Sequence, residues 1–436
     1  MARKTLFWIH LFAGLVAGVF IAAMCVTGAL MSFEKQLLAW AESDVRRVEV
    51  PANAGRLPLT ELQAEARAAR EDKRPASVTV SADPAAAVAF TFGRDDVVYV
   101  DPYTAKVSEP SATTLRSVLK FALGLHRWLA LEGEARDVAK LVIGIANLFF
   151  LALILTGIVL WWPRSLTWRG FKAVMVVNLR ATGKARDWNW HNSLGFWALP
   201  ILAVISFSAI PISFRWGGTL VSVLAGETPS AQQASAPATQ GPAVPAPATG
   251  AKRLDVATLF DVAAAASPGW QSITLRLESP QRRGQGGAQS GQRREGAATG
   301  NGGTSETRRE AAAAKPQDAA AGNAQGNAQT AGNTERPKPA QPQAIAAAVA
   351  FPDAWPRTAT TTHWLNPYDK QILSTEPFSA QPASRRLRTW LRYLHTGEAL
   401  GWPGQLAALI GALTGLVLVY TGFALSWRRF FRKKAA

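Results

Sequence analysis

The chain has 436 residues, 48% of them apolar, and a formal net charge of +17. Its single cysteine, Cys25, excludes an intramolecular disulfide, a Cys-x-x-Cys redox pair, c-type haem attachment and a cysteine-ligated iron–sulfur cluster. No Walker A sequence occurs, so the chain is not by itself an ATP-driven pump.

Residues 5–33, 141–163, 188–214 and 399–427 carry no Asp, Glu, Lys or Arg. About 20 apolar residues cross a hydrocarbon core roughly 30 Å thick, so each stretch is long enough to span a membrane. A membrane α-helical fold with four transmembrane helices is therefore expected, at 11–33, 138–163, 188–214 and 399–427. The first is expected to stay attached as a signal anchor, because Phe33-Glu34-Lys35 is not a small-residue cleavage site.

Basic clusters set the orientation. Arg3 and Lys4 lie in an N-terminal segment, 1–10. Arg164, Arg169, Lys172, Arg180, Lys184 and Arg186 lie in the loop 164–187. Arg428, Arg429, Arg432, Lys433 and Lys434 lie in the tail 428–436. With four spans all three fall on one side, which the positive-inside rule places in the cytoplasm. The charge is accounted for by orientation, with no nucleic-acid partner; the partner that these features imply is membrane lipid. The expected location is the bacterial inner membrane, multi-pass, with both termini cytoplasmic.

The connections 34–137 and 215–398 are then extracytoplasmic, and each reads as a small α+β domain. In the first, residues 57–70 are helix-like. Short β-rich runs follow at 77–81, 87–92 and 97–100, and the segment closes on "VYVDPYTAKVSEP". In the second, 254–266 is helix-like, 272–277 and 345–351 are strand-like, and the close is "THWLNPYDKQILSTEP". Asp101-Pro102-Tyr103 matches Asn366-Pro367-Tyr368, so the two domains read as a repeat. Residues 225–252 and 280–343 are rich in small and polar side chains and are expected to stay unfolded.

There are five histidines. His10 and His191 open spans one and three. His10 precedes Thr27-Gly28 by 17 residues, and His191 precedes Ser208-Ala209 by 17. At about 1.5 Å per residue that is about 25 Å, so His10 and His191 share a depth near the inner face. His126 and His395 adjoin apolar stripes (Leu115, Val118, Leu119, Ala122, Leu125 and Leu129; Leu387, Trp390, Leu391 and Leu394) on amphipathic segments before spans two and four. They share a depth at the outer face. One histidine pair per face is the pattern that bis-imidazole ligation of haem requires. Without a Cys-x-x-Cys-His motif the haem would be b type and non-covalent. Two haems b are expected, with His10, His191, His126 and His395 as axial ligands of the iron. His363 has no partner at its depth and reads as structural or surface. Tryptophans at span ends read as an interfacial belt. No catalytic residue is assigned.

The motifs that carry a resemblance are "WIHLFAGLVAGVFIAAMCVTGALMSFEKQL" at 8–37, "VYVDPYTAKV" at 98–107, "LHRWL" at 125–129, "RDWNWHNSLGFW" at 186–197, "YLHTGEALGWPGQ" at 393–405 and "YTGFALSWRR" at 420–429. They resemble the PepSY-associated transmembrane proteins, often iron-regulated, among them inner-membrane ferric-siderophore reductases. The resemblance implies PepSY-like outer domains, four spans and haem held by His10, His126, His191 and His395. It further implies an oxidoreductase that passes electrons from a cytosolic or membrane donor to a ferric chelate or siderophore in the periplasm, for iron acquisition. The alternative is a non-redox PepSY-type binding or regulatory protein acting on a periplasmic peptidase, peptide or envelope component. Span three departs from the family pattern in carrying Ser208-Ala209 where Ser-Gly or Thr-Gly is usual, and the expected consequence is for helix packing more than for ligation.

Overall fold

The computed structural model describes residues 2–53, 55–93, 95–163, 167–227, 241–245, 247, 250–277 and 343–431. Four helices are long and apolar enough to cross a membrane: α1 (Ala2–Met31), α6 (Ala135–Trp161), α8 (Gly183–Ser213) and α12 (Trp402–Phe430). Helices are one of two backbone forms that satisfy every peptide group within a bilayer. Each helix runs beyond its charge-free stretch at one or both ends. α1 begins at Ala2, so His10 lies inside the helix and not at its start. Arg3 is accommodated there because its guanidinium donates to the carbonyls of Leu160 (2.6 Å) and Trp162 (2.9 Å), at the negative end of α6.

The spans form a square in which α1 packs on α6 and α12, and α8 packs on the same two. α1 and α8 are thus diagonal. Small residues let neighbours approach closely. A Cβ on Gly18 would stand 2.6 Å from the ring of Phe423, and one on Gly415 would stand 2.7 Å from Cys25 Sγ. Ala17, Ile21, Cys25 and Ala146 form a dry centre with Phe150 and Leu153 packed against it. In that apolar setting Asn147 and Ser206 satisfy each other: Asn147 Nδ2 donates to the Ser206 carbonyl (2.9 Å), and Ser206 Oγ donates to Asn147 Oδ1 (3.1 Å). Asp187, fully buried near the start of α8, lies between Arg186 (2.9 Å) and Arg428 (2.9 Å), which joins α8 to the end of α12.

α2 (Glu34–Ala41) and α3 (Ser43–Arg46) lead from α1 into the first α+β region. That region contains α4 (Leu59–Ala68), β1 (Ser77–Ser81), β2 (Val88–Thr91), β3 (Val97–Val100) and β4 (Val107–Ser108), and ends in α5 (Thr113–Trp128). After α6, α7 (Trp168–Met175) precedes α8, and α9 (Arg215–Leu224) follows it. The second region has α10 (Val256–Ala265), β5 (Ser272–Arg276), β6 (Ile345–Ala350), β7 (Thr360–Leu365) and β8 (Ile372–Glu376), and ends in α11 (Ala383–Thr396).

The two regions share one antiparallel sheet, in the order β4-β3-β2-β1-β5-β6-β7-β8. β1 pairs with β5 from Ser77↔Arg276 to Ser81↔Ser272, and the hydroxyls of Thr79 and Thr274 meet at 2.9 Å across the join. Alternate strand residues (Val78, Val80, Phe90, Val98, Ile273, Leu275 and Val349) pack under Leu59 and Leu62 of α4 and Val256 and Leu259 of α10. Each such side chain contributes about 1.5–3 kcal/mol by leaving water. The repeat seen in the sequence is also a repeat of hydrogen bonds. Asp101 Oδ1 accepts from Tyr103 N (2.8 Å), and Asn366 Oδ1 accepts from Tyr368 N (3.0 Å). Leu57 N donates to the Pro102 carbonyl (2.7 Å), and Leu254 N to the Pro367 carbonyl (2.8 Å).

Residues 228–240 and 278–342, most of the two stretches expected to stay unfolded, lie outside the described residues. The described part of 225–252 does pack: Val244 is buried with Ala344, Ala346 and Trp364, and Ala243 bridges Gln343. Composition gave no sign of this, because one valine against one indole suffices.

The sheet is anchored to the bundle at Glu42, which is fully buried between α2 and α3. Its carboxylate accepts from Arg46 Nε (2.9 Å), from Arg116 Nε and Nη2, and from the Tyr99 hydroxyl (3.3 Å). One side chain thus joins the segment after α1, strand β3 and helix α5. Burial alone would push the Glu42 carboxyl up, but hydrogen bonds from Arg116 and Arg46 overcome it and hold the group below the usual carboxylate range. Its stabilisation is therefore complete above about pH 5.5 and declines as pH falls through the ordinary carboxylate range, about pH 4, and below it. Glu42→Gln is expected to cost about 3 kcal/mol, because it leaves two guanidiniums around a neutral amide. Melting in detergent at pH 7 and pH 4 checks this: the variant falls well below the parent at pH 7, and the gap narrows at pH 4.

Candidate functional site

His10 on α1 and His191 on α8 face each other across the diagonal of the bundle, with ring centres 6.3 Å apart and planes at 81°. At the sheet end, His126 on α5 and His395 on α11 face each other with ring centres 6.2 Å apart and planes at 66°. The structure therefore brings the four expected histidines together in the two expected pairs. Along α1 the pairs are separated by the 17 residues from His10 to Thr27, about 25 Å of helix.

Each imidazole rests on a hydroxyl from a neighbouring helix. His10 Nδ1 is 2.9 Å from Thr156 Oγ1 on α6, and His191 Nδ1 is 2.9 Å from Thr421 Oγ1 on α12. His126 Nδ1 is 2.8 Å from Thr27 Oγ1 on α1. His395 Nδ1 is 3.4 Å from Ser208 Oγ on α8 and 2.9 Å from the Ile205 carbonyl. Each hydroxyl is followed by Gly28, Gly157, Gly422 or Ala209. A Cβ on any of the three glycines would lie 3.6–3.7 Å from the imidazole Cε1, an ordinary contact. That is why Ala209 fits at the fourth position.

The fifth histidine is different in kind. His363 is buried in β7 with both ring nitrogens bonded, Nε2 at 2.8 Å from Ser267 Oγ and Nδ1 at 2.9 Å from Thr375 Oγ1. Among the described residues, none of the four paired histidines has a hydrogen bond through Nε2. On the helices outside the spans, burial pushes His126 down to about 4, with His395 adding to the effect, and burial also pushes His395 down. Both are neutral imidazoles at neutral pH, the form that binds a metal.

Sequence reading passed over Thr156 and Thr421, and did not place Thr27 or Ser208 beside a histidine. The signal was present: a hydroxyl residue followed by a small one recurs in all four spans, opposite a histidine. The departure at Ser208-Ala209 was expected to matter for helix packing more than for ligation. The departure itself lies at Ala209; Ser208 keeps the hydroxyl and stands against His395, on the face of α8 that meets α11. Among the described residues, no cluster of three or more His, Cys, Asp or Glu could hold a metal ion.

The chain belongs to the PepSY-associated TM region family, whose model matches residues 7–429. No curated protein matches it.

The glycines beside the imidazoles and those between helices are expected to respond differently. Gly157→Ala and Gly422→Ala leave melting in detergent unchanged, because a methyl fits there. Gly217→Ala lowers stability by about 1–3 kcal/mol, since its Cβ would stand 2.7 Å from the Ile210 carbonyl oxygen, which is backbone and cannot turn aside. Thermal melts of the three variants check the contrast.

Proposed function

We propose that this chain, as a member of the PepSY-associated family, is an inner-membrane haem protein that moves electrons across the bilayer to a ferric chelate in the periplasm. The observation that carries this reading is the separation of the paired imidazoles. An iron about 2 Å from each of two opposed imidazole nitrogens sets the ring centres about 6.2 Å apart, with each nitrogen about 1.1 Å from its ring centre. The observed separations are 6.3 Å and 6.2 Å.

The donor set fits haem in a second respect. Two imidazoles alone do not hold a bare ion, whereas a haem would bring four nitrogens of its own and would need only two further ligands from the protein. His10 and His191 would hold one haem, and His126 and His395 the other. Haem, when bound, supplies reversible one-electron chemistry at its iron.

The protein's own groups define the remainder. The apolar packing of Ile21, Cys25, Ala146, Phe150 and Leu153 between the pairs excludes water from the bilayer centre. One electron reduces one ferric ion of a chelate to ferrous, and no proton need move through the bundle. The basic clusters around Arg3, Arg186 and Arg428 support placing the end nearest His10 and His191 in the cytoplasm, where a cytosolic or membrane donor supplies the electron. The sheet end then faces the periplasm.

Reduced-minus-oxidised spectra of the protein from haem-replete cells test this. Two b-type components are expected. His10→Ala removes one and His395→Ala the other, each lowering haem content by about half, while electron transfer to a ferric chelate is nearly abolished in both because the sites act in series. A folded, colourless parent protein overturns the proposal in favour of a binding or regulatory role for the sheet.

A further inference from the structure

The hydroxyls under the four imidazoles do more than fill space, and their own protons show why. Thr27 Oγ1 donates to the Ala23 carbonyl four residues earlier (2.6 Å), Thr156 Oγ1 to Ala152 (2.7 Å) and Thr421 Oγ1 to Val417 (2.8 Å). Ser208 Oγ donates to the Ile205 carbonyl (2.9 Å). With its single proton committed to the helix backbone, each hydroxyl has only lone pairs to offer its histidine. The facing Nδ1 must then be the N–H nitrogen of the ring. A neutral imidazole carries one proton, so Nε2 is left as a bare lone pair, directed away from the hydroxyl.

We propose that Thr27, Thr156, Thr421 and Ser208 are positioning residues that hold the four paired imidazoles in the Nδ1–H tautomer and so present Nε2 to the facing ring. The inference deepens the haem reading, since an axial ligand needs that lone pair. It also stands apart from it, because the tautomer is a property of the protein's own hydrogen bonds. Outer partners of this kind orient a ligating histidine and raise its basicity, and their loss costs about 10–100-fold in affinity for the metal group.

The four positions are not equivalent. Backbone carbonyls also stand beside His126 (Met24) and His191 (Leu418), but only at His395 is the carbonyl, Ile205 at 2.9 Å, nearer than the hydroxyl, Ser208 at 3.4 Å. A backbone carbonyl accepts from Nδ1 as a threonine hydroxyl does, and no side-chain substitution removes it. Ser208 is therefore the least needed of the four. His363 serves as an internal reference, because hydroxyls meet both of its nitrogens and leave neither as a free ligand.

The test uses full-length protein with 15N-labelled histidine, prepared without haem, and reads imidazole tautomers by NMR. The parent is expected to show pyridine-type Nε2 signals for His10, His126, His191 and His395. Thr421→Val, a change that keeps the branched shape and removes the acceptor, converts the His191 signal to a tautomer mixture. Thr421→Ser restores it. Thr27→Val and Thr156→Val act in the same way on His126 and His10, whereas Ser208→Ala leaves His395 nearly unchanged.

In haem-loaded protein the three valine variants weaken haem retention by about 10–100-fold. They also raise the midpoint potential of the affected centre by about 59 mV for each tenfold by which the oxidised form loses more than the reduced form. Parent signals of the Nε2–H type, or valine variants with unaltered tautomers, overturn the proposal; so does a Ser208→Ala effect as large as that of Thr27→Val. A parent chain that takes up no haem ends the proposed function but leaves the tautomer spectra to decide this inference.

Discussion

A neutral imidazole has one proton and one lone pair, and burying it in an apolar bundle obliges the fold to provide for both. Here Nδ1 is met four times by a hydroxyl from an adjacent helix, and each ring lies beside a second imidazole. An unsatisfied polar group in such surroundings costs about 1–3 kcal/mol, so these contacts fix the rotation of each histidine-bearing helix against its neighbour. The square arrangement of spans follows from the same requirement. α1 must reach α6 through His10 and α5 through Thr27, and α8 must reach α12 through His191 and α11 through Ser208.

The extramembrane part is tied to the same framework through charge. Glu42 gathers Arg46, Arg116 and Tyr99 at the point where the chain leaves α1, and Arg116 lies on the helix that carries His126. The second half has a looser counterpart. The carboxylate of Glu227, which follows α9, accepts from Ser384 N (3.0 Å) at the start of α11, and Arg388 on α11 donates to the Gly218 carbonyl (2.9 Å) and Ser222 Oγ (3.0 Å). In both halves a short helix after a span is latched to the amphipathic helix that supplies a histidine. In the first half the latch also reaches strand β3 through Tyr99.

The duplication explains why two small α+β units form one sheet. A four-stranded half has an edge at its first strand, with unpaired backbone groups that favour association. Pairing β1 with β5 satisfies both edges at once. The pairing also lets α4 and α10 cover a continuous apolar face, so the two cores merge into one.

The sequence by itself determined what depends on position along the chain. Charge-free length defined the spans, clustered arginines and lysines defined which ends lie together, and spacing from His10 to Thr27 and from His191 to Ser208 defined depth. These are one-dimensional quantities, because a bilayer sorts residues along a single axis. The tertiary structure alone decided what depends on angle around the bundle: that α1 and α8 are diagonal, that Thr156 and Thr421 lie under His10 and His191, and that Ser208 contacts a histidine instead of only a helix. It also decided that the two outer units share a sheet, since the alternation of Ser77–Ser81 and Ser272–Arg276 is equally compatible with two separate edges. Hydropathy cannot distinguish the faces of a helix that is apolar all round, so the azimuth of each span is set by the few polar groups that must find partners inside it.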